Sequence, residues 1–416
     1  MQPDRPMSPV LVAAFNTVMA ARAIHCVYQP IMDLERQTVA GYEALARGPA
    51  GTTWAMPGAL VGYAEQVGRL PELDWICRAA ACNGALAANL PADMPLFVNV
   101  EPVSSRVSCP DDLAIVIRDA LDRLQIVAEV TERSVANDPA GLLAAIEMLR
   151  SYRNRIALDD VGVSGASQAM MSLVRPDVIK VDRGVVQEHT SPAAAAVVEA
   201  VRAEADRTGA IILAEGIETQ DHLAAAKAIG ATLGQGWFFG HPGPLPGVYE
   251  TSRLTLPQLV VPPMTATTPF EIAHQLAETT YVTKDELVPL SRQLEDRGGD
   301  PHEPSVLLTT FQQAYHFSGT SRQRYSDLAA HGVLTATFAK DMPLEPGPHI
   351  RGCPLTADDP LSLEWNVIVI GSQFAGGLFA KPCIGRDGLE FELIMSNDRD
   401  LVLAAARPLI DRLRPA

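Results

Sequence analysis

Six short apolar runs in the first 240 residues each close on a polar side chain able to hold a cation or a proton. The fullest is Arg155-Ile156-Ala157-Leu158-Asp159-Asp160-Val161-Gly162. The others are Gly41-Tyr42-Glu43-Ala44-Leu45, Leu96-Phe97-Val98-Asn99-Val100, Val127-Ala128-Glu129-Val130-Thr131-Glu132, Val178-Ile179-Lys180-Val181-Asp182 and Ile211-Ile212-Leu213-Ala214-Glu215-Gly216. A strand passing through apolar surroundings should not end in a carboxylate by accident, because burying an unpaired carboxylate is costly. Gathered at one rim, Glu43, Glu129, Asp159, Asp160 and Glu215 would make a dense acidic site. Such carboxylates cannot all ionise side by side without cations. Oxygen donors of this kind suit Mg²⁺ or Mn²⁺ rather than zinc or copper. The adjacent pair Asp159-Asp160 offers a bridge, one carboxylate shared by two ions and the next reaching the second. Two ions about 3.5–4 Å apart activate water and stabilise both oxygens of an in-line phosphoryl displacement. Lys180 among them can position that water or hold developing charge.

The elements that must carry these residues alternate between strand-like and helix-like patterns. An opening helix over 10–21 precedes strands at 27–31 and 39–46, which a polar turn at 33–37 joins. Helices over 57–68 and 72–89 lead to a strand at 96–100, and a helix over 111–124 leads to 126–131. The same alternation places strands at 156–158, 178–181, 211–214 and 232–239 after helices over 139–152, 166–174, 192–208 and 221–229. Alternating elements predict α/β architecture. Eight strands in this length favour a barrel, whose active site lies at the C-terminal rim, one residue per strand. The rim candidates are Glu43, Asn99, Glu129, Asp159, Asp160, Lys180, Glu215 and Gln235. Residues 242–268 carry six prolines without periodicity, which marks a domain boundary. Residues 269–416 read as a second, smaller α/β unit. Its helices fall at 270–278, 284–297, 321–331 and 399–413, and its strands at 305–311, 333–338, 365–371, 376–381 and 389–395.

The whole chain sets bounds. Its 416 residues exceed one ordinary core. Apolar residues make up 47% and charged residues 20%, which describes a folded globular protein. A net charge of -16 argues against nonspecific nucleic-acid binding, which needs cationic neutralisation of phosphates. A small phosphorylated substrate held through metal ions stays compatible with it. The six cysteines form no Cys-x-x-Cys, so a structural zinc site is not expected and a reducing, cytoplasmic setting is. No signal peptide and no run approaching 18 apolar residues is visible, so no membrane span is expected.

These residues resemble a known family. The first 245 or so look like an EAL-domain cyclic-di-GMP phosphodiesterase. Beside Glu43-Ala44-Leu45 stand Tyr28-Gln29-Pro30-Ile31, Asn99, Glu129-Val130-Thr131-Glu132, Asp159-Asp160, Lys180-Val181-Asp182, Ala214-Glu215-Gly216-Ile217-Glu218-Thr219 and Gln235-Gly236-Trp237-Phe238-Phe239, in the family's order. The resemblance implies a TIM-like (β/α)8 barrel over 1–250, a Pro-rich linker over 251–268, and two Mg²⁺ or Mn²⁺ ions. Glu43, Asn99, Glu129 and Asp159 would bind one ion; Asp159, Asp160 and Glu215 the other. Lys180 would contact the nucleophilic water, with Gln235 near the same network and Glu218 supporting the site from behind. Gln29 and Arg47 would touch the dinucleotide, and Glu132 would anchor the loop after Asp160. The implied reaction opens cyclic di-GMP to linear pGpG, and the implied assembly is a homodimer through the EAL domain. One segment departs: where the family usually reads Phe-Gly-Thr-Gly-Tyr-Ser-Ser-Leu, this chain has Val161-Gly162-Val163-Ser164-Gly165-Ala166-Ser167-Gln168. In the family that segment helps organise the second ion, so the change opens weak or strongly regulated turnover as an alternative to full activity. Residues 269–416 resemble a DICT sensory domain, on 287–296, Asp359-Pro360-Leu361 with Glu364-Trp365, and the strand pair over 367–381. The resemblance names no signal for it.

Competing readings stay open on the residues alone. Glu132 and Glu218 also suit structural salt bridges, Asp182 suits an anchor, and His241 suits an exposed loop position. A barrel with an altered loop could bind cyclic di-GMP without cutting it and act as a signalling module. An enolase-type barrel also sets carboxylates and a lysine at its rim.

Overall fold

The computed structural model describes residues 8–131, 138–250, 254–257, 266–300, 303–317, 319–385 and 388–415. Eight strands close into a barrel in chain order. They are β1 (His25–Asp33), β2 (Thr38–Arg47), β3 (Leu96–Asn99), β4 (Ile126–Thr131), β5 (Arg155–Val161), β6 (Val178–Val181), β7 (Ile211–Ala214) and β8 (Leu233–Gly234). From β2 onward every neighbour is parallel, while β1 runs antiparallel to both β2 and β8. The parallel strands read as unbroken apolar runs because both faces are covered.

Around the barrel lie α1 (Pro9–Ala20), α2 (Pro57–Gln66), α3 (Leu70–Ala87), α4 (Asp111–Arg123), α5 (Pro139–Ser151), α6 (Gly165–Val174), α7 (Arg183–Gln187), α8 (Pro192–Thr208) and α9 (Gln220–Ile229). Local signals set several of these boundaries. Helix α8 starts with Pro192 after a Ser191 cap that accepts from the Ala194 amide, and it stops at Gly209 with φ 77°. Helix α9 is capped by Thr219 and stops at Gly230 with φ 95°. The expected strand over 232–239 is only two residues long. The chain turns after Gly234 because Gly236 crosses the Ile217 backbone so closely that a Cβ would lie 2.0 Å from its carbonyl oxygen.

The second unit is a seven-stranded sheet in the order β12-β11-β10-β13-β14-β15-β9. Its strands are β9 (Thr280–Val282), β10 (Val306–Gln313), β11 (Leu334–Lys340), β12 (Ile350–Leu355), β13 (Trp365–Ile370), β14 (Ala375–Gly385) and β15 (Gly388–Ser396). Its helices are α10 (Pro269–Leu276), α11 (Lys284–Arg297), α12 (Thr320–Ala329) and α13 (Arg399–Ile410). Strand alternation divides its apolar residues. Leu307, Val367, Val369 and Leu378 pack with Leu287 of α11 and Tyr325 of α12. Val306, Leu308, Ile368 and Ile370 pack with α10 and α13. Two strands escape the pattern reading, both at sheet edges. β9 is short and mostly exposed, and β12 contains Gly352 and Pro354, which edge strands tolerate.

The two units share one apolar core. Leu142, Met170, Val174 and Val201 of the barrel's helices belong to the same buried cluster as Phe270, Leu401, Val402 and Leu409. Ion pairs flank it: Arg207 to Asp400 at 3.1 Å and Arg407 to Glu147 at 2.7 Å. No helix among the described residues is long and apolar enough to cross a membrane.

The barrel lumen is plugged by Ile31, Phe97, Val127, Ala157, Val178, Leu213 and Leu233, none more than 1% exposed. Phe97 is the largest of them, so Phe97→Ala should lower barrel stability by about 3–5 kcal/mol. Chemical denaturation reads this; a loss below about 1 kcal/mol would mean that the lumen closes over the gap.

Candidate functional site

The plug residues explain where the polar ones stand. Side chains two apart on a strand share a face. Asn99 follows Phe97 by two, Glu129 follows Val127, Asp159 follows Ala157, Lys180 follows Val178, Glu215 follows Leu213 and Gln235 follows Leu233. Each polar residue is thus the next inward-facing position above an apolar layer. On the reversed strand β1 the order inverts, and Gln29 precedes Ile31 by two. All eight strands therefore deliver one polar side chain to one end of the lumen, Glu43 coming from β2.

These side chains meet around a single ammonium. Lys180 Nζ lies 2.6 Å from Glu129 Oε1, 2.8 Å from Asp159 Oδ1, 2.9 Å from Glu215 Oε1 and 3.8 Å from Glu43 Oε2. Asn99 Nδ2 donates to Glu129 Oε2 at 3.1 Å and to Glu43 Oε1 at 3.4 Å. Gln235 Nε2 donates to Glu43 Oε2 at 2.6 Å and to Gln29 Oε1 at 3.2 Å. Gln29 Nε2 in turn donates to the Gly240 carbonyl at 3.2 Å. The amides thus orient carboxylates that are almost wholly buried: Glu129 is 0% exposed, Glu43 7% and Asp159 8%.

Asp160 arrives by a different device. Neighbours on a regular strand face opposite ways, so Asp159 and Asp160 should not share a site. The β5–β6 register shifts between Leu158 and Val161, and Asp160 takes φ 58°, a left-handed conformation that aspartate tolerates better than most residues. Ligand oxygens of Asp159, Asp160 and Glu215 consequently lie within 4.8 Å of one another.

The electrostatics are unbalanced. Burial, reinforced by the Glu43 charge, pushes the Glu129 carboxyl well above its ordinary range. Burial likewise pushes Glu215 up to about 8, with Asp159 and Glu43 adding and Lys180 opposing. Burial would lower Lys180, but Asp159, Glu129, Glu215 and Glu43 outweigh it and hold the ammonium charged. One cation faces four carboxylates, and a buried excess of negative charge must bind protons or metal ions. The donors present are oxygens, the set that hard divalent cations prefer. Asp159, Asp160 and Glu215 fit such an ion by proximity, and Gln235 Oε1 is buried without a hydrogen-bond partner in the same network.

Other expected residues stand at the edge or apart. Arg47 ends β2, half-buried, and donates to its neighbour's carbonyl on Ala46 at 2.8 Å. Glu218 is exposed; its amide donates to His222 Nδ1 at 3.3 Å, and its carboxylate has no contact with the cluster among the described residues. Glu132 lies outside the described residues. His241 is exposed beside Trp237, their rings 5.1 Å apart. Trp237 is 61% exposed two residues beyond Gln235, an aromatic face at the rim to which residue patterning assigned no role. Its signal in the sequence is a tryptophan directly after the crossing Gly236.

A family model described as EAL domain matches residues 13–242. A second, described as Sensory domain in DIguanylate Cyclases and Two-component system, matches residues 270–382. The cyclic di-GMP phosphodiesterase NbdA of Pseudomonas aeruginosa is 30% identical over 237 residues, 54% of this chain and 30% of that protein. The probable cyclic di-GMP phosphodiesterase PdeG of Escherichia coli is 29% identical over 224 residues, 52% of this chain and 44% of that protein. The chain thus spans less than half the length of these curated relatives. Among solved structures, a manganese and cyclic-di-GMP complex of Klebsiella pneumoniae BlrP1 is 25% identical, covers 53% of this chain and 56% of its own, and aligns with a TM-score of 0.46.

The raised Glu215 has a consequence for stability. A carboxyl with folded pKa about 8 and ordinary value 4.5 binds its proton more tightly in the folded state. That contribution is fully present below the ordinary value and is lost as pH rises through the folded one. The metal-free protein should therefore lose melting temperature between about pH 5 and about pH 9. Glu215→Gln should flatten this slope. Mn²⁺ should raise the melting temperature more at the alkaline end, because the ion competes with protons for the same oxygens. Melting curves that ignore both pH and Mn²⁺ would contradict the charge imbalance.

Proposed function

Because the chain belongs to the EAL-domain family, we propose that it is a divalent-metal-dependent phosphodiesterase that hydrolyses cyclic di-GMP to linear pGpG. The observation that carries this reading is the convergence of Glu43, Glu129, Asp159 and Glu215 on Lys180, with Asp160 brought beside them. The names of the matched relatives support the same substrate.

Each residue has a role under this reading. Glu43, Asn99, Glu129 and Asp159 would hold one ion; Asp159, Asp160 and Glu215 would hold the other. Bound Mg²⁺ or Mn²⁺ supplies charge neutralisation of the phosphodiester and activation of water. Asn99 and Gln235 keep the Glu43 and Glu129 carboxylates turned toward the centre. Lys180 holds the carboxylates together before ions arrive, and its ammonium then orients the attacking water and offsets charge on the phosphoryl oxygens. Gln29 and Arg47, on the antiparallel pair β1–β2, contact the dinucleotide, and Trp237 offers a face on which a guanine can stack. The second domain regulates this activity.

The second reading is a module that binds cyclic di-GMP without cutting it; the altered 161–168 segment favours it. Incubation of the purified chain with cyclic di-GMP and Mn²⁺ or Mg²⁺ separates the two, because only the first yields pGpG. Glu43→Ala should cut turnover by about a hundredfold or more by removing a metal ligand. Arg47→Ala should raise KM by about tenfold with a smaller change in kcat, through loss of a charge-assisted phosphate contact. Nucleotide binding without any pGpG would end the enzymatic reading. Full activity in Glu43→Ala would overturn the ligand assignment.

A further inference from the structure

Helix α6 begins immediately after the segment that carries Asp159 and Asp160, and the second domain grips both of its ends. At its start, Gly165 lies against Pro304, where a Cβ would fall 2.8 Å from the proline Cγ. The related family usually has tyrosine at this position; here the proline of the second domain occupies that space. Toward its end, Ser172 is 3% exposed and its hydroxyl accepts from Arg399 Nη1 at 3.1 Å. The same hydroxyl donates to Glu204 Oε2 of α8 at 2.9 Å. Glu204 is paired with Arg207 at 2.7 Å, and Arg207 reaches Asp400 at 3.1 Å, next to Arg399. The contacts close a ring that crosses the domain boundary twice.

The two grips are joined within the second domain. Arg399 also donates to the carbonyls of Gly371 and Ser372, at 2.9 and 3.2 Å. Glu303 accepts from the amides of Gln373 and Phe374, at 2.6 and 2.9 Å. Pro304 is the next residue, and it is the one that meets Gly165. Between the grips, Ala169, Met170 and Met171 are no more than 2% exposed, as is Val174 just beyond them. A helix so packed moves as a body. Only Val161 to Ser164 separate it from the left-handed Asp160, the last residue but one of β5.

Resting on the phosphodiesterase reading, we propose that Arg399 is a positioning residue for the reaction: through Ser172 and α6 it holds Asp160 in register with Asp159 and Glu215. It contacts no reacting atom, so it is not catalytic. A shift of the second domain that released Arg399 would loosen the metal site, which gives that domain a mechanical hold on activity.

The test uses the full chain and three variants: Arg399→Ala, Arg399→Lys and Ser172→Ala. Mn²⁺ binding by calorimetry without nucleotide, hydrogen exchange over residues 159–174, and kcat and KM for cyclic di-GMP are measured on each. Arg399→Ala should bind Mn²⁺ about tenfold more weakly, exchange faster over 159–174 and lose about tenfold in kcat, with KM changed less than about twofold. Ser172→Ala should share this pattern in milder form. Arg399→Lys, which keeps a donor at the same place, should recover part of it. Unchanged Mn²⁺ affinity and unchanged exchange in both alanine variants would overturn the proposal. So would losses that merely follow the unfolded fraction, with no recovery by lysine. If the wild type cuts no cyclic di-GMP, the phosphodiesterase reading fails, while Mn²⁺ affinity and exchange still decide the role of Arg399.

Discussion

Everything at the barrel mouth answers to one imbalance: a single buried ammonium, Lys180, faces four carboxylates. Attraction to that ammonium draws together side chains from β2, β4, β5 and the end of β7, and mutual repulsion would otherwise part them. Lysine is a compact charge with three donors, so it reaches several oxygens at once without the planar fork an arginine would impose. Yet one positive charge cannot neutralise four negative ones, and the surplus appears as carboxyls that hold protons above their ordinary range. A site in this state is ready for divalent cations. The amides of Asn99 and Gln235 tie the carboxylates into place and add no charge of their own.

The barrel supplies what this cluster needs from beneath. The apolar layer of Phe97, Val127, Ala157, Val178, Leu213 and Leu233 closes the lumen and keeps water from entering below the carboxylates. Low polarity on that side strengthens every interaction above it. The same layer fixes position, because a close-packed residue two below determines where the polar one points. Asp160 is the exception, and the bulged β5 with its left-handed residue is the irregularity that lets two adjacent aspartates serve one place. Strained backbone of this sort persists where its surroundings over-determine it, and here those surroundings include the helix that follows.

That helix belongs to the core shared with the second domain. The buried cluster running from Leu142 and Met170 to Leu401 and Leu409 makes the two units more than neighbours on a linker. Arg399 and Pro304 add polar and steric contact at the two ends of α6. Gly165, within the 161–168 segment that differs from the related family, is where Pro304 of the second domain meets the start of α6.

Much of the site was legible along the chain because its cause is local. Alternation places a polar residue two beyond an apolar one on the same face, so runs such as Val178-Ile179-Lys180 announce both a strand and what it presents. Glycine and proline mark the ends of α8 and α9 for equally local reasons. The edge strands β9 and β12 were not legible, since little burial is asked of them and Pro354 can sit at an edge. Nor was the inverted order of Gln29 and Ile31, which depends on β1 lying between β2 and β8 against their direction. By itself the sequence determined which residues would gather and what cation chemistry they favour, because strand periodicity and charge type are properties of neighbouring residues. Only the tertiary structure decided that Lys180 would be the common partner, that a left-handed Asp160 would join its neighbour, and that Arg399 would reach Ser172 some 227 positions away. Those outcomes depend on which distant segments pack together, and no local pattern encodes that.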